Sequence, residues 1–255
     1  MTFKKKIINI SLLAILISLF SFTANFDNGF KNAQLNNKRV RVAYDNKWVN
    51  LQAQLEAKKI NKDDFEVYFR IFKLEKEFEV WVKNKSDVKF TLLKTIAICA
   101  SSGTLGPKRK QGDYQVPEGF YEIATFNPNS SYHLAMKINY PNQSDKLKKT
   151  GADAGGDIMI HGNCVTIGCI PLENEPIEEV YVLTTESKNR KNTTQLVIFP
   201  CRLTEKNTQY LNKNFSVEKN TFWETLKKPF DYFEKNNELP KITISKTGDY
   251  IFNEK

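Results

Sequence analysis

Ile158-Met-Ile-His-Gly-Asn-Cys-Val-Thr-Ile-Gly-Cys-Ile-Pro-Leu172 is the stretch that decides the reading of this chain. It holds one of two histidines, two of four cysteines and the hydroxyl of Thr166. The apolar run Ile158–Ile160 reads as a short buried strand that delivers His161 at its end. Gly168 permits a tight turn into Cys169, and Pro171 bars a simple continuation of regular structure. His161 and Cys169 stand eight positions apart (169 − 161 = 8). That is too close for two distant elements, and it fits a strand end with a loop returning beside it.

A cysteine nucleophile reacts as its thiolate, and an imidazole close by supplies that form by taking the proton. The oxyanion that follows needs donors, which consecutive backbone N–H groups in a glycine turn provide. Cys169 is therefore the candidate nucleophile and His161 the proton acceptor, later the donor. Thr166 is a candidate to position the imidazole or to donate to the intermediate. The N–H groups of Gly168 and Cys169 are the candidate oxyanion hole. Each has a plainer reading. A cysteine is often just a small buried hydrophobe, a histidine a hydrogen-bonded core residue, a threonine a turn hydroxyl, and a glycine a positive φ. A zinc site built from His161, Cys164, Cys169 and a distant Cys99 or Cys201 is the chemical rival, although no C-x-x-C pair supports it.

His161-Gly162, Thr166 and Gly168-Cys169 resemble the HG…[ST]-x-G-C signature of the L,D-transpeptidase catalytic domain family (YkuD-type). The fuller string His161–Cys169 is similar to the YafK-like branch, as are Gly106-Pro-Lys-Arg-Lys-Gln-Gly-Asp-Tyr-Gln-Val-Pro-Glu-Gly-Phe-Tyr121 and Ser130-Ser-Tyr-His-Leu-Ala135. The likeness runs from about Phe65 past Phe199. It implies a peptidoglycan-modifying cysteine acyltransferase that works on stem peptides through a thioester and needs no cofactor or metal. Tyr132, His133, Gly162 and Asn163 are the candidate substrate contacts, with a structural role the alternative for His133. Many relatives place Arg or Asn two residues after the cysteine, where Pro171 stands here. Lys108, Arg109 and Lys110 are substitutes for that charge, or simply solvated loop charge. Hydrolysis of the same bonds is the alternative activity, as an L,D-carboxypeptidase or as an amidase releasing wall-linked protein. A catalytically silent wall-binding module is the alternative of a different class.

The chain has 255 residues, 40% of them hydrophobic and 12% aromatic, enough for a large core. Its formal net charge of +9 and pI of about 9.2 favour polyanionic surroundings such as the cell wall. The lysines are scattered rather than interleaved with aromatics, which argues against nucleic acid. Lys4-Lys5-Lys6 followed by an apolar stretch to Phe22 has the layout of a secretory signal peptide over residues 1–24. The protein is thus expected in the periplasm or cell envelope, and at the membrane only if that signal stays uncleaved. The four cysteines show no framework spacing; with Cys169 kept as a thiolate at most one pair forms from the other three, and Cys99 and Cys201 are expected as buried free thiols.

Along the chain, Trp48, Leu51 and Leu55 have helical spacing within a polar N-terminal segment, residues 25–64. Phe65–Phe72 and Glu77–Lys83 alternate as a hairpin, and Phe90–Ala100, Gly119–Phe126 and Tyr132–Ile138 read as further strands. A helix is expected from Pro176, with Glu178 and Glu179 facing outward. Gln195–Phe199 reads as a closing strand, and a helix with a break at Pro229 is expected over Asn214–Asn236. The expected fold is mainly β with peripheral helices (α+β), an L,D-transpeptidase-like β-sandwich or barrel over residues 65–202. A mostly helical C-terminal extension, residues 203–255, is expected to pack on it.

Overall fold

The computed structural model describes residues 29–253; the expected signal peptide lies outside them. Six helices and ten strands form among the described residues. In chain order, α1 (Gly29–Leu35) and α2 (Lys38–Ala57) lead into β1 (Phe65–Phe72), β2 (Glu77–Asn84), β3 (Thr91–Ala97), β4 (Gly119–Asn127) and β5 (Ala135–Ile138). Then come α3 (Gln143–Lys148), β6 (Met159–His161), β7 (Ile170–Pro171), α4 (Asn174–Asn189) and β8 (Gln195–Phe199). Helices α5 (Glu205–Asn214) and α6 (Val217–Asn236) and the hairpin β9 (Lys241–Ile244)/β10 (Tyr250–Asn253) complete the chain.

Eight strands form one sheet in the order β3-β2-β1-β8-β4-β5-β6-β7, curled into a half-barrel. Most neighbours are antiparallel, while β1/β8 and β6/β7 are parallel. The sequence of β1 explains its central place. Alternation sends Phe65, Val67, Phe69 and Ile71 into one apolar layer with α2 and α4, and Tyr68 and Phe72 into a second layer under α6. A strand covered on both faces must be apolar on both, as Phe65–Phe72 is apart from Glu66 and Arg70. Arg70 is buried, and its charge is met by Glu79 at 3.3 Å and Glu234 at 2.6 Å.

Helix α6 does not break at Pro229. It runs on to Asn237, which caps it in the left-handed conformation. Proline removes one hydrogen bond from the ladder, yet Leu226, Phe230 and Phe233 on either side are buried against the sheet and hold the turns in line. Helix α4 begins at Asn174, two residues before Pro176, so the proline occupies the first turn, where its missing N–H costs nothing. No described helix is long and apolar enough to cross a membrane.

The two ends of the half-barrel meet. The Cys99 N–H, just after β3, donates to the Pro171 carbonyl of β7 at 3.2 Å. A disulfide joins Cys99 to Cys164, with Cα atoms 5.4 Å apart. The expectation of a free Cys99 thiol is thereby corrected: curling of the sheet brings together two cysteines 65 residues apart, which no local spacing announces. Cys201 is buried and free.

Candidate active site

The site is built on the two shortest strands. Ile160 lies opposite Ile170 and His161 opposite Pro171 in the parallel β6/β7 ladder. Cys169 directly precedes β7, so the loop returning from His161 delivers it beside β6. The Met159 N–H points at the Cys169 sulfur. On its other side the sulfur sits 3.6 Å from the Asp157 carbonyl.

His161 is buried, and its Nδ1 lies 2.6 Å from the Gly162 carbonyl oxygen. A carbonyl only accepts, so Nδ1 carries the proton and the lone pair is left on Nε2. A backbone carbonyl, not an acid, orients the imidazole. The Tyr132 ring covers the imidazole, with centroids 4.9 Å apart and planes inclined by 31°. Burial lowers the His161 pKa, partly opposed by the Gly162 bond, and burial raises that of the Cys169 thiol. Both shifts favour the neutral forms, so the resting pair is thiol and imidazole rather than an ion pair. Lys108 favours the thiolate and Asp157 opposes it.

The turn before the cysteine is locked from within. Thr166 Oγ1 donates to the Cys169 carbonyl at 2.8 Å and accepts the Gly168 N–H at 3.1 Å. Thr166 is therefore a turn hydroxyl here, its proton committed to the backbone. The Gly168 N–H is likewise occupied. The Cys169 N–H, the other candidate donor, makes no hydrogen bond among the described residues. Gly168 has a φ of +140°, and a side chain there would come within 3.2 Å of the Gln115 carbonyl.

Gly162 is tightly enclosed: a Cβ would lie 2.7 Å from Asn174 Oδ1 and 3.0 Å from His133 Cβ. Asn163 is exposed, and its N–H is held by Asn174 Oδ1 at 3.0 Å. His133 pairs through Nε2 with Glu178 at 2.8 Å, behind Gly162. The outward reading of Glu178 is corrected, since it is buried by this contact from a different loop. Lys108 is buried against Asp113 at 2.5 Å, and Arg109 lies 5.1 Å over the Phe222 ring, so neither is solvated loop charge. Lys110 is exposed. The sequence reading did not pick out Asn174, Gln115 or the Asp157 carbonyl. Two of these three act through backbone oxygens, which residue identity does not mark.

A zinc site of one histidine and three thiolates does not fit, because Cys99 and Cys164 are spent on each other. Of the two free thiols, Cys201 is fully buried and its pKa is pushed up to about 12, which leaves Cys169 as the accessible one.

Comparison with known proteins places this chain among relatives. Residues 67–198 match the L,D-transpeptidase catalytic domain (YkuD). YafK of Escherichia coli (strain K12) is 36% identical over 189 residues, which is 72% of this chain and 73% of that protein. Among solved structures, the helical cell shape determining protein Pgp2 of Campylobacter jejuni is similar at 22% identity and a TM-score of 0.44, over 72% of this chain and 74% of that one. Bd1075 of Bdellovibrio bacteriovorus is similar at 16% identity and a TM-score of 0.40, over 71% and 77%. From the domain match and the identity to YafK it follows that this chain belongs to the L,D-transpeptidase catalytic domain (YkuD) family.

Proposed function

We propose that this protein is an exported, periplasmic or envelope enzyme that carries out cysteine acyl transfer on peptidoglycan stem peptides. The observation that carries the reading is the accessible free thiol of Cys169, directly before the strand β7 that pairs with β6, at whose end stands His161 with its Nε2 lone pair unspent. Cys169 attacks the carbonyl carbon of the donor peptide as His161 Nε2 takes the thiol proton. Because both groups rest neutral, His161 acts as a general base during attack rather than as a standing counter-ion. The Cys169 N–H stabilises the oxyanion. Collapse expels the terminal D-amino acid, whose nitrogen receives the proton from His161, and a thioester is left. An amine of a neighbouring stem then attacks the thioester carbonyl, gives its proton to His161, and releases a cross-linked product and the thiol.

Tyr132 lies over the imidazole and is the candidate to close on the donor peptide. Gly162 and Asn163 border the same loop, while His133 supports it from behind through Glu178. Water in place of the amine turns the same site into a carboxypeptidase or amidase. Purified protein incubated with muropeptides and read by mass spectrometry decides among the outcomes. Cross-linked dimers identify a transferase and shortened monomers a hydrolase. Products no different from those of Cys169→Ala would overturn the enzymatic reading in favour of a wall-binding module.

A further inference from the structure

The loop that carries the nucleophile is poorly anchored by its own side chains. Between His161 and Cys169, residues Asn163, Cys164, Val165 and Ile167 are all exposed, Ile167 to 75%. Among the described residues its hydrogen bonds reach outside the loop only at its start, from the Gly162 N–H to the Leu134 carbonyl at 3.1 Å and from the Asn163 N–H to Asn174 Oδ1. Cys164 sits in the middle of this loop and is bonded to Cys99 at the end of β3. Cys99 in turn holds the β7 carbonyl of Pro171, two residues past the nucleophile. One residue thus ties down the loop before Cys169 through sulfur and the strand after it through the backbone.

We propose that the Cys99–Cys164 disulfide positions Cys169, so that its two-electron reduction slows the chemistry of Cys169 while the fold persists. The turn Thr166–Cys169 fixes the Cys169 N–H relative to its sulfur, but only the disulfide fixes that turn against the far edge of the sheet. Breaking it returns both sulfurs as thiols and lets residues 162–168 drift from His161. A dithiol reductant supplies the two electrons and is itself closed to a disulfide. A disulfide oxidant such as oxidised glutathione reverses the step. Cys99 and Cys164 are positioning residues here, and the inference rests on the acyl-transfer reading of Cys169.

The test compares the wild type with Cys99→Ala/Cys164→Ala, both carrying Cys201→Ala so that Cys169 is the one thiol free to react. Iodoacetamide alkylation of Cys169 is followed against pH, and turnover of muropeptides is measured beside it. Circular dichroism checks that the variant is folded. The expected results are a shifted pH profile for Cys169 alkylation and a kcat lower by on the order of tenfold to a hundredfold, the cost of a small misplacement of a reacting group. An unchanged alkylation profile with kcat within about twofold of the wild type would overturn the proposal and leave the bond a mere staple. Should the double variant not fold, dithiothreitol titration of the wild type decides instead. Loss of turnover that tracks the appearance of Cys99 and Cys164 thiols and is reversed by oxidised glutathione supports the proposal; full turnover in the reduced protein refutes it. A disulfide-dependent alkylation profile without turnover on any wall substrate would sink the peptidoglycan reading and leave the positioning role standing.

Discussion

Lys73 and Glu118 make the buried ion pair that fastens the loop wall of the site. Side-chain exposures are 4% and 0%, and the charges meet at 2.8 Å. The ammonium also donates to the carbonyls of Thr104 (3.1 Å), Gly106 (2.9 Å) and Val116 (2.9 Å), so it stitches residues 104–118 to the end of β1. Glu118 accepts in addition from the Gly106 N–H at 2.7 Å and from Trp223 Nε1 at 2.6 Å. Lys73→Met keeps the bulk of the stem but leaves an uncompensated carboxylate and three carbonyls without their donor. The expected loss of stability is about 3–5 kcal/mol. Glu118→Gln leaves the ammonium its three carbonyls and is expected to cost less, roughly 2 kcal/mol. Because both remove one contact, the double variant is expected to fall short of the sum by about 1–3 kcal/mol. Urea unfolding of the four proteins at neutral pH measures this. A Lys73→Met loss below about 1 kcal/mol, or strict additivity, would show that water reaches the pair and that the wall is held by apolar packing alone. The same wall touches the proposed nucleophile: a cavity of about 10 Å³ is lined by Lys73, Val116 and Cys169 together. Activity is therefore expected to fall with stability.

Gly162→Ala is expected to abolish most turnover while the protein stays folded, because its Cβ would displace Asn174 Oδ1 from the Asn163 N–H; steady-state kinetics beside circular dichroism reads both. Iodoacetamide alkylation of Cys169 in the wild type is expected to rise with an inflection above the ordinary thiol range, since burial raises that pKa; a full rate at neutral pH would reveal a resting thiolate instead. Burial pushes Asp145 up to about 6 against an ordinary 3.8, although the Asn142 N–H and Tyr121 favour its charged form. The folded protein then holds a proton that the unfolded chain has released, so stability declines as pH rises from about 4 to about 6. Unfolding free energies measured across that interval are expected to flatten in Asp145→Asn, and an unchanged slope would exonerate this carboxyl.

Much of the architecture was legible because the signals are local. Phe65–Phe72 and Glu77–Lys83 alternate and pair as read, the second strand running one residue further to Asn84, and Ile158–Ile160 forecast the strand that carries His161. The N-terminal helix proved longer than Trp48–Lys59 suggested. Its first turns are rich in Lys and Arg, which hid the buried Val40, Ala43 and Tyr44. Non-local facts were not legible. The Cys99–Cys164 bond depends on the closure of the sheet, and the burial of Glu178 on a histidine 45 positions away. At the site, His161 and Cys169 were singled out from residue type and spacing. The commitment of the Thr166 hydroxyl to its own turn was foreseeable only as the plainer alternative, since a threonine is equally suited to either duty.

The outermost strand of the sheet has a consequence for solubility. Leu172 N–H points inward to His161, so by alternation the N and carbonyl of Pro171 face out. The first has no hydrogen to give, and the second already serves Cys99. At Pro171 a stray polypeptide searching for a template to extend finds no donor and no vacant acceptor, although the Cys169 N–H nearby stays free among the described residues. The rim beside Cys169 can therefore lie open with little invitation for neighbouring copies to zip onto it.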